Sequence, residues 1–230
     1  MEFEEWEPIY EAIVDDFGYD RGADERARDV LASMTDSFDL EKLSAARGAT
    51  VAVVGAAPSL ETAAELERAR EADVVFAAST AADVLDRRGI EVDCMVTDLD
   101  KNPQSVRRFT ERRIPVAVHA HGDNVPAVRR VVPDCDDEYV LPTTQAKPRG
   151  PVRNVGGFTD GDRAAFLADY LGADRLVFAG WEFDDPDVGP VKARKLEWAG
   201  RLLSWLERRR DDRFELLEGT GDEFVTEFGT

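Results

Sequence analysis

Thr50-Val51-Ala52-Val53-Val54-Gly55-Ala56-Ala57-Pro58-Ser59-Leu60 decides how the rest of the chain is read. Its first half is a continuous, mostly β-branched run, the signature of a strand buried on both faces. A glycine turn closes the run, and a helical pattern follows to about Ala72. The same unit recurs downstream. Val74–Ala78, Val92–Thr97, Pro115–Ala120, Tyr139–Leu141 and Arg175–Ala179 read as strands. Ala81–Arg88, Pro103 to about Arg112, Val125–Val131, Asp162–Leu171 and Lys192–Arg210 read as the intervening and final helices. Such alternation predicts an α/β domain with a doubly wound, mostly parallel sheet over residues 47–230.

Residues 1–46 read as a separate helical segment. Trp6, Ile9, Tyr10, Ile13, Val14 and Phe17 repeat at helical spacing, and Gly18 ends the run. A second helix is expected from about Asp24 to Met34 and a short third from Leu40 to Ala46. None carries recognisable chemistry, and the aromatic stripe reads as packing. Beyond Asp211 the chain is acidic, with Phe214, Leu216 and Leu217 as a candidate last strand.

The net charge of the 230 residues is −19. A nucleic-acid partner is disfavoured, because that interaction needs a basic footprint. The basic residues are almost all arginine; Lys42, Lys101, Lys147, Lys192 and Lys195 are the only lysines. An acidic, lysine-poor surface suits a high-salt cytoplasm, where screening weakens self-repulsion. No apolar run approaches the roughly 20 residues of a membrane span. The start, Met1-Glu2-Phe3-Glu4-Glu5-Trp6, lacks the layout of a signal peptide. A soluble, cytoplasmic protein is expected, possible as a homo-oligomer. Cys94 and Cys135 show no metal-ligand spacing and imply no disulfide framework.

Four clusters fall where strands end, the usual ligand site of an open α/β sheet. Asp98 and Asp100 follow the third strand as two hard oxygen donors. They suit Mg²⁺, which commonly takes one or two carboxylates plus substrate phosphates; a loop cap and a solvated charge is the plainer reading. The Gly55–Leu60 turn, with Pro58 and Ser59, sits where phosphate meets a helix N-terminus. It is neither a dinucleotide fingerprint nor a P-loop. The only histidines, His119 and His121, share a strand face at i and i+2 beside Asp123 and Asn124. They suit a transition metal, a phosphate or a substrate contact. Asn154-Val155-Gly156-Gly157-Phe158-Thr159-Asp160-Gly161-Asp162-Arg163 leads into a helix. Thr159 or Asp160 can cap it, and the two carboxylates suit a nucleotide–Mg²⁺ site. Lys192 and Lys195 lie on one helical face as candidate phosphate contacts.

Taken together, Val-Val-Gly-x-x-Pro-Ser-Leu, Val-Thr-Asp-Leu-Asp, His-x-His-Gly-Asp-Asn and Gly-Gly-Phe-Thr-Asp-Gly-Asp-Arg-Ala resemble the archaeal 6-hydroxymethyl-7,8-dihydropterin pyrophosphokinase family. The likeness covers roughly Thr50 to Arg201. The acidic segments at Asp98 and Asp160 also resemble those of thiamine pyrophosphokinases. Ala57 stands where the family turn has a second glycine. The resemblance implies a Rossmann-like fold and transfer of diphosphate from ATP to a pterin, with Mg²⁺, in tetrahydromethanopterin or folate synthesis. On that reading Asp98 and Asp100 hold metal with Asp160 or Asp162. Gly55, Pro58, Ser59, Thr159, Asp160, Lys192 and Lys195 serve the ATP phosphates. His119, His121 or Asp123 orients or deprotonates the acceptor hydroxyl, and Asn124 or Asn154 reads the pterin edge. A metal-dependent phosphohydrolase and a non-catalytic nucleotide-binding module are the alternatives.

Overall fold

The computed structural model describes residues 1–220. Its strands are β1 (Thr50–Val54), β2 (Val74–Ala78), β3 (Cys94–Thr97), β4 (Val116–Ala120), β5 (Val140–Thr144) and β6 (Arg175–Ala179). They form one sheet in the order β5-β4-β3-β2-β1-β6, and every pairing is parallel. The α/β expectation holds, with a sheet parallel throughout.

Alternate residues of a strand face opposite sides, so strands apolar at every position must build two cores. Val51, Val53, Phe76 and Val96 enter one. Ala52, Val54, Ala77 and Met95 enter the other. The first is covered by α1 (Phe3–Phe17), α7 (Asp160–Tyr170) and α8 (Pro190–Arg210). The second is covered by α2 (Arg21–Ala32), α3 (Ala63–Glu71), α4 (Ala81–Arg87), α5 (Pro103–Glu111) and α6 (Val125–Val131). Cys94 lies inside the sheet as a free thiol, and burial pushes its pKa up to about 12.

Helices α1 and α2 therefore contribute to opposite cores, and their connection has to cross the sheet. Gly18 makes the turn in the left-handed conformation, φ 66°. Trp6 Nε1 donates to the Gln145 carbonyl just past β5, at 2.9 Å. The Gly122 amide past β4 donates to Asp24 Oδ1, at 2.7 Å. These two bonds hold the α1–α2 turn over the carboxyl ends of β4 and β5.

Two local expectations are corrected. The strand proposed around Phe214, Leu216 and Leu217 is instead one 3₁₀ turn, Glu215–Leu217. Phe214 plugs into the core, its ring 4.9 Å from that of Phe178. Its N–H goes to Glu207 Oε1 and its carbonyl to the Leu217 amide, so no ladder bond remains to be made there. The helix expected directly after Gly55 begins as a 3₁₀ turn, Pro58–Glu61, before α3 starts with Thr62 as its N-cap.

Candidate active site

The turn after β3 carries the first two carboxylates. Leu99 adopts φ 69°, left-handed for a residue with a side chain, at a cost of roughly 1–2 kcal/mol. Burial of its side chain offsets that cost. The Thr97 hydroxyl accepts the Leu99 amide at 3.0 Å, and Asp98 Oδ1 accepts the Asp100 amide at 3.2 Å. Asp98 and Asp100 consequently line one cavity of about 440 Å³, together with Asp160 at the start of α7. That cavity runs along the ends of β1, β2, β3 and β6 and is bordered by the first turns of α8.

Three carboxylates there crowd one another. Burial would raise the Asp98 pKa, but the nearby His121 ring and the Asp100 contacts outweigh it and hold it below the carboxylate range. Asp100 is raised, by burial and then by Asp98. Asp160 is raised well above its ordinary value by burial and by the charge of Asp98, against the pull of Arg163. Lys101, Lys192 and Lys195 line the same cavity, so it combines hard oxygen donors with point positive charges. Among the described residues no three acidic, histidine or cysteine side chains form a ready-made metal cage. The donor set fits Mg²⁺ of the kind that completes its shell with phosphate oxygens and water.

Asp162, expected among the metal ligands, is fully buried. Thr159 is the N-cap of α7 and Asp162 its reciprocal partner in a capping box. Asp162 accepts the amides of Phe158 and Thr159 and the Thr159 hydroxyl. The pair of acids thus divides: Asp160 faces the cavity and Asp162 shapes the loop. Gly157, at φ 89°, lets that loop close, because a Cβ would sit 2.4 Å from Arg163 Cα.

Gly55 also has a different partner from the one expected. A Cβ on it would lie 2.6 Å from the Gly180 carbonyl, so the glycine serves the close approach of the β1 and β6 ends. Gly55 and Pro58 still line the large cavity. Ser59 does not; its amide donates to Glu182 Oε1 at 3.0 Å, and it faces a separate cavity.

A second, smaller cavity of about 230 Å³ lies beyond Asp98, under the α1–α2 turn. His121, Asp123, Gln145 and Tyr19 line it, and Asp98, Phe158 and Lys195 are shared with the first. The histidines part company here. Their rings lie 6.2 Å apart, but His119 is buried within β4, its Nδ1 3.2 Å from the Thr143 hydroxyl. Burial, then the charge of Arg163, keeps its pKa well below the usual value. His121 lies past the strand, with Nε2 3.8 Å from Asp98 Oδ2. Asn124 is occupied in full: Nδ2 donates to the carbonyls of Asp98 (2.8 Å) and His119 (2.6 Å), and Oδ1 accepts the His121 amide. It ties the ends of β3 and β4. Asn154 likewise donates to the carbonyls of Gln145 and Ala146 and accepts the Gly156 amide. Neither asparagine is among the residues lining these two cavities.

A profile of the MptE-like 6-hydroxymethylpterin diphosphokinase family matches residues 28–188. The chain belongs to this family. Proteins named 6-hydroxymethyl-7,8-dihydropterin pyrophosphokinase are similar to it over nearly full length. That of Methanothermobacter thermautotrophicus is 40% identical, covering 94% of this chain and 99% of the relative. That of Pyrococcus furiosus is 37% identical, covering 95% and 99%. That of Methanocaldococcus jannaschii is 28% identical, covering 93% and 99%. For this MptE-like chain, sequence reasoning missed Lys101, Trp181, Tyr19, Asp24 and Gln145 at the two cavities. Lys101 had a usable signal, a rare lysine directly after Asp100. The α1–α2 residues had none, because only the crossing of the sheet brings them to the strand ends.

Proposed function

We propose that the protein transfers the diphosphate of ATP to the hydroxymethyl group of 6-hydroxymethyl-7,8-dihydropterin and releases AMP. The observation that carries this reading is the meeting of two cavities at Asp98, one lined by lysines and carboxylates and one by aromatic and polar groups. An ATP phosphate chain fits the first. An acceptor in the second would present its hydroxyl at the junction. Mg²⁺, held by Asp98 and Asp100 with Asp160, supplies charge neutralisation of the phosphates when bound. Lys101, Lys192 and Lys195 contribute the remaining positive charge, and holding the reactants in line supplies much of the rate. The hydroxyl oxygen forms a bond to the β-phosphorus as the bond to the bridging α,β-oxygen breaks, and that oxygen leaves with AMP. The hydroxyl proton passes to His121, whose protonated ring the Asp98 carboxylate stabilises.

The net charge of −19 supports a salt-rich cytoplasmic setting as part of the same proposal. No helix among the described residues is long and apolar enough to cross a membrane. Purified protein with ATP, Mg²⁺ and the hydroxymethyl pterin in high KCl should form one AMP per pterin diphosphate. Stoichiometric ADP, or phosphate release without acceptor, would overturn the assignment in favour of a kinase or a phosphohydrolase.

A further inference from the structure

We infer that the smaller cavity under the α1–α2 turn is the acceptor site, with the Asp123 carboxylate pairing the amino and ring N–H edge of the heterocycle and Tyr19 and Phe158 supplying an aromatic wall for it. This rests on the proposed diphosphate transfer and assigns its second substrate. The cavity has about half the volume of its neighbour, 230 against 440 Å³, and takes only Lys195 of the three lysines around the larger one. It suits a compact, flat, uncharged ring and not a triphosphate.

The state of its polar groups selects Asp123. Asp24 accepts three bonds already, from Gly122 N, Tyr10 Oη and Gln145 Nε2. Asp20 accepts the Gly22 amide and pairs with Arg26. Asp98 is engaged with the Asp100 amide and faces His121. Asp123 is exposed and has no hydrogen-bond or ion-pair partner among the described residues. A pterin places an amino group beside a ring N–H, two parallel donors that match the two oxygens of a carboxylate. Tyr19 stacks on Phe17 at 5.1 Å between ring centres, and Phe17 contacts Phe158 at 5.2 Å, so the aromatic wall is preassembled. Arg163, 3% exposed and lining the same cavity, leaves Nε without a partner. That nitrogen is itself buried, so it is not offered to a ligand in the cavity.

The test measures pterin and ATP affinities separately by calorimetry, with KM and kcat, for wild type and Asp123→Asn. The asparagine keeps the size and contacts nothing that folds the chain. Pterin KM should rise roughly ten- to a hundredfold, the weight of a hydrogen bond to a charged group, with ATP affinity unchanged. An analogue carrying oxygen in place of the amino group should bind wild type more weakly than the pterin. Against Asp123→Asn, whose amide offers one acceptor and one donor, the order should invert, with the oxo analogue binding more tightly than the pterin. Tyr19→Leu should also weaken the pterin and spare ATP. If wild type forms AMP with the pterin but Asp123→Asn keeps normal pterin KM, the assignment of this cavity falls and the proposed function stands. If Asp123→Asn weakens ATP instead, the two cavities are assigned the wrong way round. A wild type that neither binds nor turns over the pterin overturns both.

Discussion

Asp98 and Asp162 look alike in sequence, since each is one half of an Asp-x-Asp pair, yet they have opposite surroundings. Asp98 lines both cavities, whereas Asp162 is closed inside a capping box. Asp98→Asn keeps the shape and the bond to the Asp100 amide but removes the charge that a cation needs. Turnover should fall by roughly a hundredfold or more, as when one electrostatic contact to a developing charge is removed. The melting temperature should stay near wild type; a variant with near-normal kcat at limiting Mg²⁺ would exclude Asp98 from the metal set. Asn124→Leu should behave in the opposite way. It strands the carbonyls of Asp98 and His119, each worth roughly 1–3 kcal/mol when left buried and unmade. Urea unfolding should therefore show a loss of that order. An unchanged unfolding midpoint with raised pterin KM would instead make Asn124 a substrate reader.

At the scale of elements, close approach and charge pairing hold the strand ends in place. The β1 and β6 turns touch through Gly55 and Gly180, each blocking a Cβ on the other at 2.6 Å. Gly55→Ala must push backbone against backbone, and overpacking of this kind costs roughly 1–3 kcal/mol. Lower thermal stability with weakened ATP affinity is expected, because the same turn lines the larger cavity. A variant as stable as wild type would show that the two turns can separate freely. Between α4 and α5, Asp83 accepts the Ser105 hydroxyl, the Asn102 amide and the Arg108 guanidinium. Burial alone would raise its pKa, but these bonds together lower it below 3.8. A carboxylate with a depressed native pKa stabilises the fold above its unfolded value and stops doing so as pH falls through the native one. The stability gap between wild type and Asp83→Asn, followed by thermal melts, should be constant above the ordinary aspartate range and shrink on acidification below it. A gap that widens in acid would contradict that linkage.

For the molecule as a whole, the dominant electrostatic fact is the charge of −19. Many arginines pair with carboxylates at the surface, as Arg112 does with Asp86 and Arg149 with Asp29. Exposed pairs contribute little each, so net self-repulsion remains. Raising KCl shortens the screening length from about 10 Å at 0.1 M to about 3 Å at 1 M. The unfolding midpoint should rise over that range at fixed pH and protein concentration. An unchanged midpoint would remove the argument for a salt-rich setting.

Sequence by itself determined the sheet. Residues such as Val51 and Ala52 are apolar in succession, and only a strand covered on both faces buries both. It also determined that Asp98, Asp100, Asp160 and His121 stand at strand or helix ends, because those positions follow from where each run stops. Tertiary structure alone decided which polar groups stay free for chemistry. The Asn124 and Asn154 side chains lose that freedom to backbone carbonyls, and the Ser59 amide, though not its hydroxyl, is taken by Glu182, far away along the chain. Every buried donor or acceptor must find a partner through space, and periodicity carries no record of which one it finds. The same limit hid Tyr19 and Asp24. They reach the strand ends because α1 packs on one face of the sheet and α2 on the other, and no local pattern fixes that crossing.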